Sequence, residues 1–398
     1  MRTAVVVGAG VGGLAAAGAL ARTGWQVTLL EAADRVRADR TALVLWPNGI
    51  RALQSLGLGG GLEAIASPLP AGGVRRPDGH WLVKPRPVPA DRVPVLVHRE
   101  DLHDALVAGL GERVEIRTGI RVTRADLGDR PAVTDGRYTF AADLVVAADG
   151  IDSPVRRRLA PESTVVSTGC AAFRAVIPWY RAPDLSTDTH VWSGEVLGSG
   201  YRFVAASLGE RGSSGGSTRG GIYWTVTAAG AARPEPPATQ LALLRRWLAG
   251  WPSPVGELLA ATDPQDLIQQ EVRELRPLPR GLGFPGGDGG VVLLGDAAHA
   301  MPHHLGQGAC LAFEDAATLG ALVAPASPGE QLCAAIGSYS RLRLPRVTTM
   351  VRQSRRMSAV LRTRGRLALR ARDVALGTLT PRLMGSAADV AAQWRPPA

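Results

Sequence analysis

Residues 3–31, TAVVVGAGVGGLAAAGALARTGWQVTLLE, settle the architecture of the chain's first part. Residues 3–7 form a β-branched apolar run stopped by glycine, which predicts a buried strand. Gly8-Ala9-Gly10-Val11-Gly12-Gly13 follows, and then LAAAGALARTG, whose Ala and Leu content favours a helix. WQVTLLE predicts a second strand ending at Glu31. Strand, glycine loop, helix, strand and acid in this order predict a βαβ dinucleotide-binding unit. Gly8 permits the tight turn, Gly10 lets the backbone approach a pyrophosphate, and Gly13 lets the helix pack closely on the strand. The helix N-terminus offers unpaired N–H groups to phosphate charge. Glu31 is placed to accept hydrogen bonds from a ribose diol and disfavours a 2′-phosphate. The basic start and apolar run also resemble a secretory signal, but the glycine density and the second strand argue against that reading.

Composition narrows the rest. With 398 residues, 45% hydrophobic and 20% charged, the chain reads as globular, with room for two or three domains. Its apolar runs are broken before the roughly 18 residues a transmembrane helix needs. Cys170, Cys310 and Cys333 are too widely spaced for a disulfide framework or a zinc ribbon and fit a reducing compartment. The net charge of +10 comes almost wholly from arginine, Lys84 being the single lysine. Together with 48 Gly and 29 Pro this points to a GC-rich coding sequence rather than to nucleic-acid binding. One local feature is sharper: between Glu330 and Asp373 there are eleven arginines and no acid. Such a run reads first as a solvated helical face, with an anionic partner or membrane surface as the alternative.

Two more strands end in the same way as the first. Leu144–Ala148 runs into Asp149-Gly150, and Val291–Leu294 runs into Gly295-Asp296. Ligands of open α/β sheets bind beyond the carboxyl ends of strands, so three such ends predict one crevice built from distant segments. The third continues as VVLLGDAAHAMPHHLGQGACLAFEDAATLGALV, residues 291–323, with His299, His303 and His304 close together. His299 and His303 have the spacing of metal ligands on a helix. Pro302 interrupts any helix there and no Cys or carboxylate cluster joins them, so no metal is expected.

In this order and spacing the motifs resemble the class A FAD-dependent monooxygenases, the para-hydroxybenzoate hydroxylase type of aromatic hydroxylase. Arg99 in HREDLHDAL and the segment LWPNGIRALQSLGL, residues 45–58, carry the resemblance further, and it covers roughly residues 1–345. It implies an α/β fold: a Rossmann-type FAD-binding domain, a second, mainly β-sheet substrate domain and C-terminal helices. The expected division is 1–75, 99–165 and 279–335 for the FAD-binding domain, 76–98 and 166–278 for the substrate domain, and 336–398 for the helical segment. By the same resemblance, FAD is bound without a covalent link. Gly8, Gly10 and Gly13 would hold its pyrophosphate, Glu31 its adenosine ribose, and Arg99 and Asp149 would lie along the pyrophosphate and ribityl chain. Asp296 would bind a ribityl hydroxyl, and the helix opened by Gly306, Gln307 and Gly308 would face the flavin N1–C2=O edge, where reduced flavin carries negative charge. His299 would pack and hydrogen-bond beneath the cofactor. Pro302, His303, Gly306 and Gln307 would surround the reacting carbon C4a. At His303 many relatives carry proline, so this chain sets a titratable group there. Arg40-Thr41-Ala42 departs from a glycine common in relatives.

Residues 166–275 read as short strands and turns, with GERGSSGGSTRGG, residues 209–221, as a flexible connection. Trp192, Tyr201, Phe203, Tyr223 and Trp224 fall on these strands, and their spacing leaves core and pocket both open. The resemblance places the substrate sheet here, so Trp192, Tyr201, Phe203, Trp224 and His304 become the candidate substrate contacts. ATQLALLRRWLAGWPSPVGELLAAT, residues 238–262, would be a helix pair on the far side of that sheet. There is no second GxGxxG, so NADH or NADPH would bind without a domain of its own. The implied activity is NAD(P)H-dependent transfer of one oxygen atom from O2, through a C4a-(hydro)peroxyflavin, to an electron-rich aromatic or alkene small molecule. The alternatives are a flavin reductase or oxidase acting on an isoprenoid or polyketide without oxygen insertion, and a non-enzymatic flavin-binding regulator. The expectation is a cytoplasmic monomer or homodimer with no transmembrane segment and no nucleic-acid partner.

Overall fold

A computed structural model describes residues 1–69, 72–185, 194–209, 220–230, 232 and 234–397. Its first sheet has six strands in the order 283–286, 289–293, 144–147, 3–7, 26–30, 114–117. The inner strands are parallel, and only Gly283–Gly286 runs against its neighbour. Strands buried on both faces read as continuous apolar runs, and Thr3–Val7 and Leu144–Ala147 do so. On one face the helices Val11–Arg22 and Gly308–Val323 pack side by side. Small residues permit the approach: a Cβ on Gly320 would stand 3.1 Å from that of Ala19. A three-stranded sheet, 124–126, 132–134 and 139–141, joins the same core through Ala125 and Val133.

The second large sheet has seven strands in the order 268–276, 164–178, 221–229, 201–207, 194–197, 73–75, 81–83. Alternation divides its residues cleanly. Phe173, Ala175, Phe203, Ala205, Trp224 and Val226 form a core against the helices Pro237–Trp247 and Val255–Ala261, the helix pair expected there. The opposite, inner face packs on Ala42 and Leu96 at one end and on Leu361 at the other, with His303 against Thr227 between them.

The expected division of the chain differs from this topology at three points. Gly73–Arg75 belongs to the seven-stranded sheet, so a boundary after residue 75 would separate it from its partner Trp81–Val83. Val95–His98 pairs instead with Ala42–Leu45 and Ala66–Pro68 in a separate three-stranded sheet. The C-terminal helices begin at Glu330, with one helix to Leu361 and another from Arg366 to Gln393. Among the described residues no helix is long and apolar enough to cross a membrane. Trp192 and residues 210–219 of the expected flexible connection lie outside the described residues.

Candidate active site

Register brings the three strand ends together. Val7 pairs with Leu30 on one side and with Ala147 on the other, and Ala147 pairs with Leu293. Glu31, the Gly8–Gly13 loop, Asp149 and Asp296 therefore stand along one edge of one sheet. Gly8 has φ +97°, and a Cβ there would lie 2.5 Å from the Ala148 carbonyl oxygen. A Cβ on Gly13 would lie 1.9 Å from the Gly8 carbonyl oxygen. Both positions are thus closed to other residues by the turn itself. Gly10 is different: a Cβ there would meet nothing within 4 Å. Its absent side chain leaves space over the helix N-terminus rather than inside the fold.

Glu31 is already at work on the loop. One carboxylate oxygen accepts from Ala9 N–H at 2.8 Å and the other from Ala33 N–H at 2.9 Å. His103 Nε2 lies 3.0 Å from the Ala9 carbonyl and supports the loop from the helix Arg99–Ala108. Arg99 pairs with Asp39 at 3.5 Å, while its Nε has no partner. Asp296 is exposed at the start of a one-turn helix.

Asp149 is half-buried, with both carboxylate oxygens shielded from solvent and neither in a well-formed hydrogen bond. Burial pushes its pKa up to about 6, against the opposing pull of the Ser153 hydroxyl and the Arg156 guanidinium nearby. A carboxyl whose folded pKa is raised stabilises the fold below its unfolded value, near 4, and loses that contribution as pH rises through about 6. Flavin-free Asp149→Asn protein is therefore expected to melt higher than flavin-free wild type at pH 7.5 and alike at pH 4. Thermal melts across that range check it, and parallel curves would mean that Asp149 is not desolvated.

The open cradle at Gly10, the orphaned Asp149 oxygens and the orphaned Arg99 Nε line one edge. They fit the diphosphate and polyol of FAD, which would supply the missing partners. The helix end fits as well. Gly306 takes the left-handed conformation, Gln307 precedes the helix Gly308–Val323, and a Cβ on Gly308 would meet nothing within 4 Å. Trp46 Nε1, also without a partner, faces this turn, 3.3 Å from where a Gly306 Cβ would be.

Below the turn lies a buried charge network that the sequence reading missed. Asn48 donates to Gln307 Oε1 at 3.0 Å and to Glu314 at 2.7 Å. Arg343 donates to Glu314 and to Asp315, each at 2.7 Å, and Arg346 also reaches Glu314. His299 Nε2 is 2.6 Å from Asp315 Oδ2. Burial would raise the Asp315 pKa, but His299 and Arg343 outweigh it and hold the carboxyl down to about 2. The arginine run is thus a solvated face only in part: Arg341, Arg352, Arg356, Arg362, Arg364, Arg366 and Arg370 are exposed. Arg343 is only 1% exposed, and Arg355, Arg362, Arg364 and Arg372 bind Glu274 or backbone carbonyls of the seven-stranded sheet and its turns. The usable signal was Glu314-Asp315 inside an otherwise apolar helix, which demands buried cations.

The histidines do not converge. His299 turns to Asp315, while His303 Nε2 lies 2.9 Å from Thr227 Oγ1 on the inner face of the seven-stranded sheet. Burial, then Arg174, His304 and Arg202, push the His303 pKa well below the ordinary range. The imidazole is held in its neutral form near pH 7. His304 is likewise pushed down to about 3 by burial, Arg202 and Arg362, and neither of its ring nitrogens has a partner.

Three expected substrate contacts are corrected. Phe203 and Trp224 stack on each other at 6.0 Å in the outer core, Trp224 Nε1 donating to Thr262. Tyr201 packs on Trp247 of the outer helix. Strand alternation turns all three away from the crevice. It presents their neighbours instead: Arg202, Arg174, Tyr223, Thr225 and Thr227.

Residues 1–245 and 282–354 match the FAD binding domain family. A FAD-dependent urate hydroxylase of Klebsiella pneumoniae is 30% identical over 366 residues, 89% of this chain and 88% of that protein. The aurachin C monooxygenase/isomerase of Stigmatella aurantiaca is 29% identical over 371 residues, covering 90% of this chain and 89% of that one. A Klebsiella pneumoniae protein crystallised with FAD and uric acid superposes with a TM-score of 0.81 at 26% identity, over 98% of this chain and 96% of that chain.

Proposed function

The chain belongs to the FAD-binding class A monooxygenases, and from that premise we propose that NADH or NADPH supplies its electrons and that its substrate is a small aromatic ring bound between the inner face of the seven-stranded sheet and the His303–Gln307 turn. Bound FAD supplies the chemistry with O2 that turns one oxygen atom electrophilic. The protein's residues do the rest. Gly8, Gly10, Gly13, Glu31, Arg99, Asp149 and Asp296 hold the cofactor, and the helix N-terminus at Gly306, Gln307 and Gly308 stabilises negative charge beside it. The sheet excludes water from above.

The observation that supports this site most directly is that both His304 nitrogens and the Thr225 hydroxyl are buried polar groups with no partner in the protein. Such groups are costly unless a ligand satisfies them. Purified protein reduced by NADH or NADPH under labelled O2 should place one labelled atom in an aromatic product. Reduction without label in any product would favour a reductase instead.

His303, held by Thr227, is proposed to orient the ring as a neutral donor or acceptor. His303→Ala is expected to keep FAD and its reduction by NAD(P)H but to lower product formation about tenfold, the order of one lost orienting hydrogen bond. The lost electrons should leave as hydrogen peroxide. Unchanged coupling would make His303 a loop residue only.

A further inference from the structure

We propose a second ligand site, apart from the flavin crevice, for a small amphipathic anion: a carboxylate on an aliphatic body. It is a cleft of about 390 Å³ between the long helix Glu330–Leu361 and the turn that follows the edge strand Ile268–Arg276. None of its lining residues belongs to the crevice, so it stands independently of the monooxygenase reading. Its size falls within the roughly 300–1,000 Å³ of small-molecule pockets.

Local geometry keeps the cleft open. Leu344, Thr348, Val351 and Arg355 recur at helical spacing and share one face of the helix. The neighbouring face turns to the core, where Arg343 binds Glu314 and Asp315 and the Ser354 hydroxyl donates to the Pro302 carbonyl. Opposite runs Arg276-Pro277-Leu278-Pro279, whose two prolines fix φ and remove two N–H donors. Both walls are pinned. The Ser163 hydroxyl donates to the Pro277 carbonyl at 2.8 Å, and that of Thr164 to the Arg276 carbonyl at 3.0 Å. Leu282 N–H donates to the Ser340 hydroxyl at 2.9 Å, and Arg355 ties the helix to Glu274 at 2.6 Å and to the Leu275 carbonyl at 2.7 Å. A ligand therefore meets walls already in place, and little ordering opposes its binding.

The lining names the ligand. Leu278, Leu344, Val351 and the two proline rings supply apolar surface. Arg276 and Arg352 stand exposed beside it, and among the described residues no ion pair or hydrogen bond holds either guanidinium. Arg355 is already matched by Glu274 and adds no net charge. Among the described residues no acid lines the cleft. An uncharged apolar ligand would strip water from the two cations and return nothing. A bare small anion would leave the apolar wall in water. A carboxylate on an aliphatic body answers both, because a guanidinium takes a carboxylate through two parallel hydrogen bonds while the chain covers the wall.

The test titrates the FAD-loaded protein with octanoate, with octan-1-ol as the match without charge and acetate as the match without a chain. Binding is read by calorimetry and by melting temperature, which a ligand of the folded state raises with its concentration. Octanoate is expected to bind once per chain and at least tenfold more tightly than either control, leaving the flavin absorbance unchanged. Arg276→Gln with Arg352→Gln should remove its advantage over octan-1-ol. Thr348→Trp, which fills the cleft from the helix side, should abolish binding. FAD content and the melting temperature without ligand show whether each variant folds, and the arginine variant decides the matter if the tryptophan variant does not. Octan-1-ol or acetate bound as tightly as octanoate overturns the proposal, as does the absence of octanoate binding. Octanoate that perturbs the flavin and binds both variants like wild type sits in the crevice instead, and that result overturns it too.

Discussion

Arg343→Met is expected to cost roughly 3–5 kcal/mol of stability, the usual effect of stripping the partner from a buried charge. Glu314 and Asp315 are both fully buried, and among the described residues Arg343 is the one side chain that binds both. Methionine of similar length would fill the space but leave Asp315 with only His299 and the Gly295 N–H among the described residues. A domain holds only about 5–15 kcal/mol in total, so the loss is large. Because Asn48 links Glu314 to Gln307, the damage should spread to the flavin-facing turn and weaken FAD binding as well. Urea unfolding of the apo and FAD-bound forms measures both effects. A cost under about 1 kcal/mol would show that the network is better solvated than its geometry indicates. The double variant with Asp315→Asn should recover part of the loss, since it removes the stranded charge. pH acts through the same residue. A carboxyl held down to about 2 contributes fully above its unfolded pKa, near 4, and loses that contribution as pH falls through about 2. Acid unfolding of the wild type should therefore set in below pH 4, and Asp315→Asn should flatten that limb.

Gly10→Val is expected to leave the fold intact and weaken FAD binding at least about a hundredfold, close to 3 kcal/mol. Nothing in the protein occupies the space around a Gly10 Cβ, so the folded apo chain should accept the side chain. The methyl groups would then fill the approach over the helix N-terminus that a diphosphate needs. Gly13→Val is the informative contrast. Its Cβ would lie 1.9 Å from the Gly8 carbonyl oxygen, so the strand–helix turn cannot close, and this variant should fail to fold. Circular dichroism and flavin titration separate the two. A Gly10→Val protein that binds FAD like wild type would mean the loop does not cradle the cofactor.

Much of this was legible along the chain because it is local. The glycine loop, Glu31, the strand ends at Asp149 and Asp296, and the helix start at Gly308 are each set by a few neighbouring residues whose backbone requirements only certain side chains meet. The FAD-binding fold and the family followed from those segments and their order. What the chain could not declare was which face of a strand looks inward. Tyr201, Arg202 and Phe203 alternate across the sheet, and reading the aromatics as substrate contacts put the wrong parity in the site; the pairing of Arg202 with Thr227 opposite His303 settled it. Nor could linear reading pair Glu314 and Asp315 with Arg343, about thirty residues away on another helix. Arg343 and Arg372 were hidden within a run whose other arginines are mostly exposed, because the groups they bind lie elsewhere in the chain. Side-chain identity, turn geometry and strand period are local properties, whereas facing and charge pairing arise only when distant segments pack.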